Sequence, residues 1–242
     1  MSSVKSFFDK NAHKHAYHHD PIIYSSIINH IKKNQNKDLL KILDFGCGDG
    51  AFIKCLLNDG IDATFFGTDV SHTMINMAKQ NISNPKVELF VADGFNLPLK
   101  SDVKFDLIHA DSVLHHIIGR TRKKSKQLVK ELLEELSDRL DENGCLVIEE
   151  LYYDSHIFPN LTSSLIFYGL KLINFIRLDI NKILKEFSRG LEVNFFCNEE
   201  LSNILKKYGE PHVIKYTPAK IPRLYKLFFL KKLGNVSYIV NK

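Results

Sequence analysis

Residues 42–50 have the sequence Ile-Leu-Asp-Phe-Gly-Cys-Gly-Asp-Gly, in which a short apolar run ends in three glycines at alternate positions. The apolar run predicts a buried strand over 41–45, and the pattern from Ala51 onward predicts the helix that follows it. Glycine has no Cβ, so such a turn lets a ligand come close to the backbone. The N-terminus of the helix adds N–H groups that have no partner within the helix. This stretch therefore predicts a strand–turn–helix unit that cradles a small molecule.

The composition is that of a globular protein with one substantial core. The 242 residues are 44% hydrophobic and 25% charged, and the formal net charge of +5 indicates a lysine-rich surface, with an anion-binding surface as the alternative. The four cysteines form no C-x-x-C motif, so they predict neither a disulfide framework nor a zinc site. The N-terminus has no apolar signal segment, and polar residues interrupt the apolar stretch 161–178. A cytoplasmic protein is therefore expected.

Strand and helix patterns alternate from the glycine turn onward. Strands are predicted at 41–45, 64–69, 87–92, 105–110 and 144–151, and helices at 50–58, 72–82 and 122–140. Ser71 is the predicted N-cap of the second of these helices. Such alternation with short turns predicts a mostly parallel sheet covered by helices on both faces. Ligands bind sheets of this kind at the carboxyl ends of the strands.

The remaining segments do not follow this alternation. Residues 4–34 predict an N-terminal helical segment, and residues 154–190, rich in Ile, Leu and Phe, predict one or two amphipathic helices. A helix over 198–208, with Asn198 as its N-cap, precedes two strands that are predicted to pair antiparallel, at 211–217 and 235–241.

Further motifs follow the glycine turn in a fixed order. Asp69 ends the second predicted strand, and Asp93 follows the third in Val91-Ala92-Asp93-Gly94. The fourth strand contains Phe105-Asp106-Leu107-Ile108, and Ser112-Val113-Leu114-His115-His116 comes after it. In this order the motifs resemble those of the class I S-adenosylmethionine-dependent methyltransferases of the small-molecule type.

The resemblance covers residues 40–151 and 195–241, and it implies a Rossmann-like α/β fold. The implied sheet has seven mostly parallel strands in the order 3-2-1-4-5-7-6, with helices on both faces. A single methyltransferase domain is implied, with these parts: an N-terminal helical lid at 1–36, a cofactor-binding core at 37–151, an inserted helical substrate cover at 152–195, and a C-terminal helix and strands at 196–242. The turn before the fifth strand departs from the family's Pro-Gly-Gly and keeps only Gly144.

S-adenosyl-L-methionine is the cofactor that the resemblance implies. In the family pattern, Asp69 accepts the ribose hydroxyls and Asp93 accepts the adenine amino group. Gly46 and Gly48 give the cofactor close access to the backbone. The other cofactor-binding residues that the resemblance implies are Asp44, Cys47, Val70, Met74, Gly94, Asp111 and, from the lid, Tyr17.

Methyl transfer requires a nucleophile held in line with the methyl group and, where the nucleophile carries a proton, a base to take it. His115 and His116 are the candidate catalytic residues because imidazole exchanges protons near neutral pH; an orienting role in their loop is the alternative. His109, Glu149 and Glu150 are expected at the same rim of the sheet, where the two glutamates contact a polar substrate group or face water. No metal site is predicted, and the histidines at 13, 15, 18 and 19 are interpreted as a solvated helix face or pocket lid.

The expected acceptor is a small and apolar molecule, methylated at O, N or C, because residues 154–190 carry extensive apolar surface. Two other interpretations of this segment are peripheral membrane contact and ordinary packing on the core or on a dimer partner. A nucleic-acid acceptor is disfavoured, since residues 110–113 contain no proline and no aromatic residue to stack a flipped base. The alternatives outside this activity are a nicotinamide-binding Rossmann domain and a non-catalytic scaffold with the same fold.

Overall fold

The computed structural model describes residues 2–11, 20–33, 39–176, 191–221 and 229–242. Its centre is one sheet of seven strands in the order β3-β2-β1-β4-β5-β7-β6. The strands are β1 (Leu40–Phe45), β2 (Ala63–Asp69), β3 (Val87–Val91), β4 (Phe105–Asp111), β5 (Leu140–Ser155), β6 (Pro211–Pro218) and β7 (Leu230–Asn241). Strands β1 to β5 run parallel, and β7 pairs antiparallel with both β5 and β6. The predicted fold class and strand order are confirmed.

The helices follow the strands in the predicted alternation. They are α1 (Ser2–Asn11), α2 (Pro21–Lys33), α3 (Ala51–Asn58), α4 (His72–Asn81), α5 (Arg122–Asp138), α6 (Leu161–Phe175) and α7 (Asn198–Leu205), with a short 3₁₀ turn at Leu114–His116. Ser71 caps α4 as predicted, because its hydroxyl accepts a hydrogen bond from the Met74 N–H. Among these described helices, none is both long enough and apolar enough to cross a membrane.

The two faces of the sheet bury separate apolar clusters. On one face, Leu132 and Leu136 of α5 and Leu201 of α7 pack against strand residues such as Ile108. On the opposite face, the isoleucines of α2 and the apolar residues of α3 pack against β1, β2 and β4; the helix residues involved are Ile23, Ile27, Ile28, Ile31, Phe52, Ile53 and Leu56. Residues that alternate along a strand point to opposite faces, which is why one strand supplies both clusters.

A third apolar cluster lies beyond the carboxyl end of β5. It joins Ile166 and Leu170 of α6 to Tyr153, to the segment Leu191–Phe195 and to Leu233 of β7. β5 is longer than predicted and reaches Ser155, because β7 pairs with it from Cys145 to Ser155. The long pairing carries the end of β5 out of the parallel sheet and under α6.

The predicted N-cap of α7 is wrong. The cap residue is Cys197, and Asn198 is the first residue of the helix. The Asn198 N–H donates to the Asp154 carboxylate at 3.0 Å, so a side chain from β5 satisfies this helix end. The Asn198 side chain instead bridges the hydroxyls of Tyr216 and Tyr238.

Candidate active site

A cavity of about 830 Å³ lies along the carboxyl ends of the central strands. At β1 and β2 its lining is the glycine loop and nearby carboxylates, including Asp44, Gly46 and Asp69; we call this the glycine-loop end. At β5 and β7 its lining is apolar, formed by Phe7, Leu151, Tyr153, Leu191, Val193, Phe195 and Leu233; we call this the apolar end. Because β1, β4, β5 and β7 are consecutive in the sheet, the two ends follow one another along the same edge.

Glycine is required in the turn after β1. Gly46, Gly48 and Gly50 have φ values of 78°, 53° and 80°, which side chains with a Cβ rarely adopt. A Cβ on Gly46 would lie 2.4 Å from Cγ2 of Val113. The N–H groups of Gly46 and its neighbour Cys47 both donate to the carbonyl of Thr68, at 2.7 and 2.9 Å, so the end of β2 holds the loop in this conformation.

The carboxylate of Asp69 closes the glycine loop from β2. Its two oxygens accept hydrogen bonds from the Gly48 N–H at 3.1 Å and the Ser71 N–H at 2.8 Å. Burial raises the pKa of Asp69 above its usual value. Each carboxylate oxygen has a second lone pair, so Asp69 has acceptor capacity left for a ligand in the cavity.

Asp93 and Gly94 lie in the turn after β3 and line the same end of the cavity, with Val70 and Met74. One Asp93 oxygen accepts from the Phe95 N–H and the Asn96 amide, at 3.2 and 3.1 Å, which orients the carboxylate. A Cβ on Gly94 would lie 2.4 Å from the Phe45 ring. Close packing therefore requires glycine at position 94.

Helix α1 covers this part of the cavity. Asp9 accepts hydrogen bonds from the Ser71 hydroxyl at 2.6 Å and the Thr73 N–H at 3.3 Å, which ties α1 to the start of α4. The hydrogen bond from Ser71 lowers the pKa of Asp9. As a result Val4, Phe7 and Phe8 of α1 line the cavity.

His109 lines the cavity near the end of β4, where the sequence predicted it, but its ring is buried between neighbouring strands. Strand register places it beside Asp44 on β1, and its Nδ1 lies 2.9 Å from Asp44 Oδ1 while its Nε2 lies 3.0 Å from Glu149 Oε1. The ring also stacks on Phe52, with centroids 3.9 Å apart. Burial alone lowers the pKa of His109, but the hydrogen bonds to Asp44 and Glu149 outweigh burial and raise it to about 10. At neutral pH a buried imidazolium therefore bridges two carboxylates.

Two carboxylates line the cavity at this bridge: Asp44, which belongs to it, and Asp111, which lies next to it. Asp44 Oδ2 is buried and has no hydrogen-bond partner in the described part of the chain. Burial, together with the charge of Glu149, raises the pKa of Asp111 to about 7. A buried acceptor without a donor costs free energy, so a ligand that presents an N–H or a positive charge near Asp44 would be stabilised.

Glu149 and Glu150 are both buried, so the expectation that they contact substrate or face water at the rim is wrong. Because side chains alternate along β5, they point to opposite faces of the sheet. Glu149 binds His109 and accepts from the Ser237 hydroxyl at 3.2 Å. Glu150 binds His115: its Oε1 lies 2.5 Å from Nδ1 of that histidine, and its Oε2 accepts from the backbone N–H at 3.1 Å.

His115 and His116 both line the cavity, in the 3₁₀ turn after β4. Their ring centroids are 4.0 Å apart, and the ring of His116 meets Phe8 of α1 edge-on at 5.2 Å. Both candidate catalytic residues thus lie where the turn after β4 separates the glycine-loop end from the apolar end.

The cavity brings together twelve of the thirteen residues predicted for the site. All of the following line it: Asp44, Gly46, Cys47, Gly48, Asp69, Val70, Met74, Asp93, Gly94, Asp111, His115 and His116. Tyr17 and the four histidines at 13, 15, 18 and 19 lie outside the described residues. The apolar lining at Leu191, Val193 and Phe195 was missed by the sequence analysis, although its alternation was a signal for a segment with one face buried.

Comparison with known proteins is consistent with this geometry. Residues 43–148 match the family model described as a methyltransferase domain. Malonyl-[acyl-carrier protein] O-methyltransferase 2 of Ilyobacter polytropus is 23% identical over 183 residues, which are 72% of this chain and 67% of that protein. The tRNA (carboxymethyluridine(34)-5-O)-methyltransferase of Saccharomyces cerevisiae is 34% identical over 94 residues, which are 39% of this chain and 30% of the yeast protein.

Solved structures with the same fold extend over almost the whole chain. Magnesium protoporphyrin IX methyltransferase from Synechocystis PCC 6803, with bound SAH, gives a TM-score of 0.57 at 14% identity, covering 99% of this chain and 98% of that one. A SAM-dependent methyltransferase from Geobacter sulfurreducens, in complex with S-adenosyl-L-homocysteine, gives a TM-score of 0.58 at 14% identity, covering 97% of this chain and 96% of that one.

The glycine-loop end fits S-adenosylmethionine. The glycine loop leaves its backbone open to a ligand, Asp69 has acceptor capacity for hydroxyls, and the unpartnered oxygen of Asp44 requires a donor such as an ammonium group. The fold, the matched family model and this fit lead to one assignment. Residues 43–148 form a methyltransferase domain of the class I S-adenosylmethionine-dependent type, and S-adenosylmethionine is its cofactor.

Proposed function

We propose that the protein transfers a methyl group from S-adenosylmethionine to a small apolar acceptor that binds at the apolar end of the cavity. The observation that carries the proposal is the continuity of the two ends. One cavity of about 830 Å³ has carboxylates and glycines at one end and aliphatic and aromatic side chains at the other. Sites for small molecules have volumes of roughly 300–1,000 Å³, so the cavity has the size expected for such ligands.

In this proposal the glycine-loop end holds the cofactor. Asp69 accepts the ribose hydroxyls and Asp93 accepts the adenine amino group, with Val70 and Met74 against the adenine ring. Asp44 accepts from the ammonium group of the methionine portion, which supplies the donor that its buried Oδ2 lacks. The bound cofactor provides a methyl group on a sulfonium, so the remaining task of the protein is to position and activate the acceptor.

The apolar end favours an acceptor with an apolar surface. Phe195 stacks on Tyr153 with ring centroids 4.1 Å apart, and Leu191, Val193 and Leu233 complete the wall. Burial of apolar surface contributes about 25 cal/mol per Å², so an apolar molecule of modest size gains several kcal/mol here. A strongly polar molecule would lose its hydration without compensation.

Calorimetry with S-adenosylmethionine tests the cofactor half of the proposal. Replacement of Asp69 by Ala or by the isosteric Asn should weaken binding about 30-fold, because charge-assisted hydrogen bonds contribute 1.5–3 kcal/mol each. Asp102→Ala removes an exposed carboxylate outside the cavity and serves as the matched control. Absence of binding to the unmodified protein, or binding that does not respond to either Asp69 variant, would show that the assignment of this end is wrong.

Nucleic acid is the acceptor class that the yeast relative suggests, since that protein is named as a tRNA methyltransferase. The similarity covers only 39% of this chain, and the apolar end has no lysine or arginine among its described lining residues to pair with phosphates. An RNA acceptor requires binding that weakens steeply with salt. We expect no such binding in filter or fluorescence assays with tRNA, and a steep salt dependence would favour the RNA alternative.

Peripheral membrane contact stays a prediction. The outer face of α6 supplies a candidate surface, because Leu165, Tyr168, Leu172 and Phe175 recur there at helical spacing and are exposed, Phe175 to 85%. The opposite face of the same helix packs over the apolar end through Ile166 and Leu170. Flotation with anionic lipid vesicles would test this contact.

A further inference from the structure

Glu150 holds one of the two ring nitrogens of His115, a residue that lines the cavity. Glu150 is fully buried, and its carboxylate accepts three hydrogen bonds: from the His115 N–H, from His115 Nδ1 and from the Leu151 N–H at 2.8 Å. An ionised carboxylate can only accept, so Nδ1 of His115 carries the proton. In a neutral imidazole the lone pair is then on Nε2.

The surroundings of His115 hold its ring in place. Among the described residues, Nε2 has no hydrogen-bond partner, while the residue itself lines the cavity. The carbonyl of His115 accepts from the Asn194 N–H at 2.8 Å, and its ring lies against Phe195 with centroids 5.3 Å apart. The same segment that forms the wall of the apolar end therefore also holds the imidazole.

We propose that His115, oriented by Glu150, is the base that removes a proton from the acceptor, and that the acceptor is an apolar molecule with a hydroxyl group, such as a phenol or an enol. This inference rests on the proposed function. In the transfer, a lone pair of the hydroxyl oxygen forms the new bond to the methyl carbon as the bond from that carbon to sulfur breaks. The sulfonium becomes a thioether, and the hydroxyl proton moves to Nε2 of His115. Glu150 is a positioning residue in this scheme.

The charge of the cavity favours a neutral hydroxyl over a carboxylate acceptor. Its described lining contains five aspartates and neither lysine nor arginine, and the buried cation at His109 already lies between Asp44 and Glu149. An anionic acceptor would enter a field of its own sign, with no lysine or arginine among the described lining residues to pair with. A carboxylate also needs no base for methylation, and a dedicated proton acceptor would then have no role.

Transfer assays with methyl-labelled S-adenosylmethionine and three matched probes test the inference. The probes are para-butylphenol, para-butylbenzoate and para-butylbenzylamine, which share an apolar body and differ in the nucleophile. We expect methylation of the phenol. Variants His115→Gln and Glu150→Gln should lower its rate by about 100-fold or more, the usual contribution of a general base, with unchanged calorimetric affinity for S-adenosylmethionine. His212→Gln, on the exposed β6, is the control that should keep the rate.

A second readout does not depend on turnover. Nitrogen-15 NMR of labelled histidine should show His115 with a protonated Nδ1 and a bare Nε2 at neutral pH, and Glu150→Gln should change this tautomer. A protonated Nε2 in the unmodified protein would overturn the inference. Preferential methylation of the benzoate or the amine would also overturn it, as would methylation of none of the probes despite cofactor binding. Among the variants, full activity of His115→Gln, or a large loss of activity in His116→Gln alone, would have the same meaning. Failure to bind S-adenosylmethionine would instead overturn the proposed function itself.

Discussion

The two ends of the cavity are built in different ways. At the glycine-loop end, ligand-facing groups come from backbone and short carboxylates within a few residues of strand ends, such as Gly46, Gly48 and Asp69. At the apolar end, the wall is assembled from parts of the chain as distant as Phe7 and Leu233. Local geometry therefore specifies the glycine-loop end, whereas the apolar end depends on how separate segments pack. The His109 bridge between Asp44 and Glu149 connects the strands beneath the two ends.

Loss of the cation in that bridge should have the largest effect, because it damages both ends. His109→Gln leaves the buried carboxylates of Asp44 and Glu149 without their counter-charge, and we expect a loss of about 3–5 kcal/mol in the free energy of unfolding. Chemical denaturation measures this. The double variant His109→Gln with Glu149→Gln removes one of the two charges and should recover part of the loss. A stability equal to that of the unmodified protein would contradict the charged bridge.

A Cβ in the glycine loop should weaken cofactor binding at the glycine-loop end and leave the apolar end intact. Gly46→Ala places its Cβ against Val113 at a φ of 78°, so the loop must move. We expect the calorimetric Kd for S-adenosylmethionine to rise about 100-fold, which corresponds to about 2.7 kcal/mol. Gly60→Ala is the matched control: its φ of 71° is equally unusual, but its Cβ would meet no atom within 4 Å. Equal cofactor affinity in the two variants would contradict a steric requirement at Gly46.

A change at the apolar end should weaken binding of the acceptor and leave binding of the cofactor unchanged. Phe195→Leu removes the stacking with Tyr153 but keeps an apolar side chain, and aromatic pairs contribute about 0.5–1.5 kcal/mol beyond their burial. We expect the KM for an accepted apolar probe to rise up to about tenfold while cofactor affinity stays constant. Phe158→Leu, at a side chain that is 67% exposed, controls for loss of an aromatic ring. If cofactor affinity fell instead, the two ends would not be separable.

The last effect, which depends on pH, is expected from the titration of Asp111. Its pKa of about 7 in the folded protein exceeds the usual value of 3.8, so between about pH 4 and pH 7 the folded state holds a proton that the unfolded state has lost. This group therefore lowers stability as the pH rises through that window. Asp111→Asn should raise the Tm by a few degrees at pH 8 relative to the unmodified protein, and have little effect near pH 4. Thermal unfolding at both pH values measures the difference, with Asp102→Asn, at an exposed carboxylate, as control. An equal shift in Tm at pH 4 and pH 8 would contradict the raised pKa of Asp111.

Local patterns were sufficient for the sheet and for the residues of the glycine-loop end. The alternation of strands and helices predicted a mostly parallel sheet. The strand order was implied by the resemblance to the methyltransferases, and the structure confirms it. Gly46, Asp69 and Asp93 lie at or just beyond the ends of predicted strands, and the ends of parallel strands meet at one edge. The resemblance to the methyltransferases implied that they bind the cofactor. The roles of these residues toward the cofactor stay predictions.

The glutamates at the end of β5 show what local patterns could not indicate. Glu149 and Glu150 were expected at the rim because they lie at the end of the fifth predicted strand. Their partners, His109 and His115, are 40 and 35 residues away along the chain. The pairing depends on the register of β4 and β5 and on the position of the turn after β4, and strand periodicity carries no information about either.

The sequence by itself determined the alternating strands and helices and the glycine-rich turn, because these are set within one strand, one helix or one turn. The strand order and the cofactor followed from the resemblance that its ordered motifs carry. Tertiary structure alone decided the charge state of His109, the orientation of His115 and the wall of the apolar end of the cavity. The physical reason is the range of the interactions. Backbone conformation is fixed by neighbouring residues, whereas burial, counter-charge and cavity shape arise only when distant segments exclude water together.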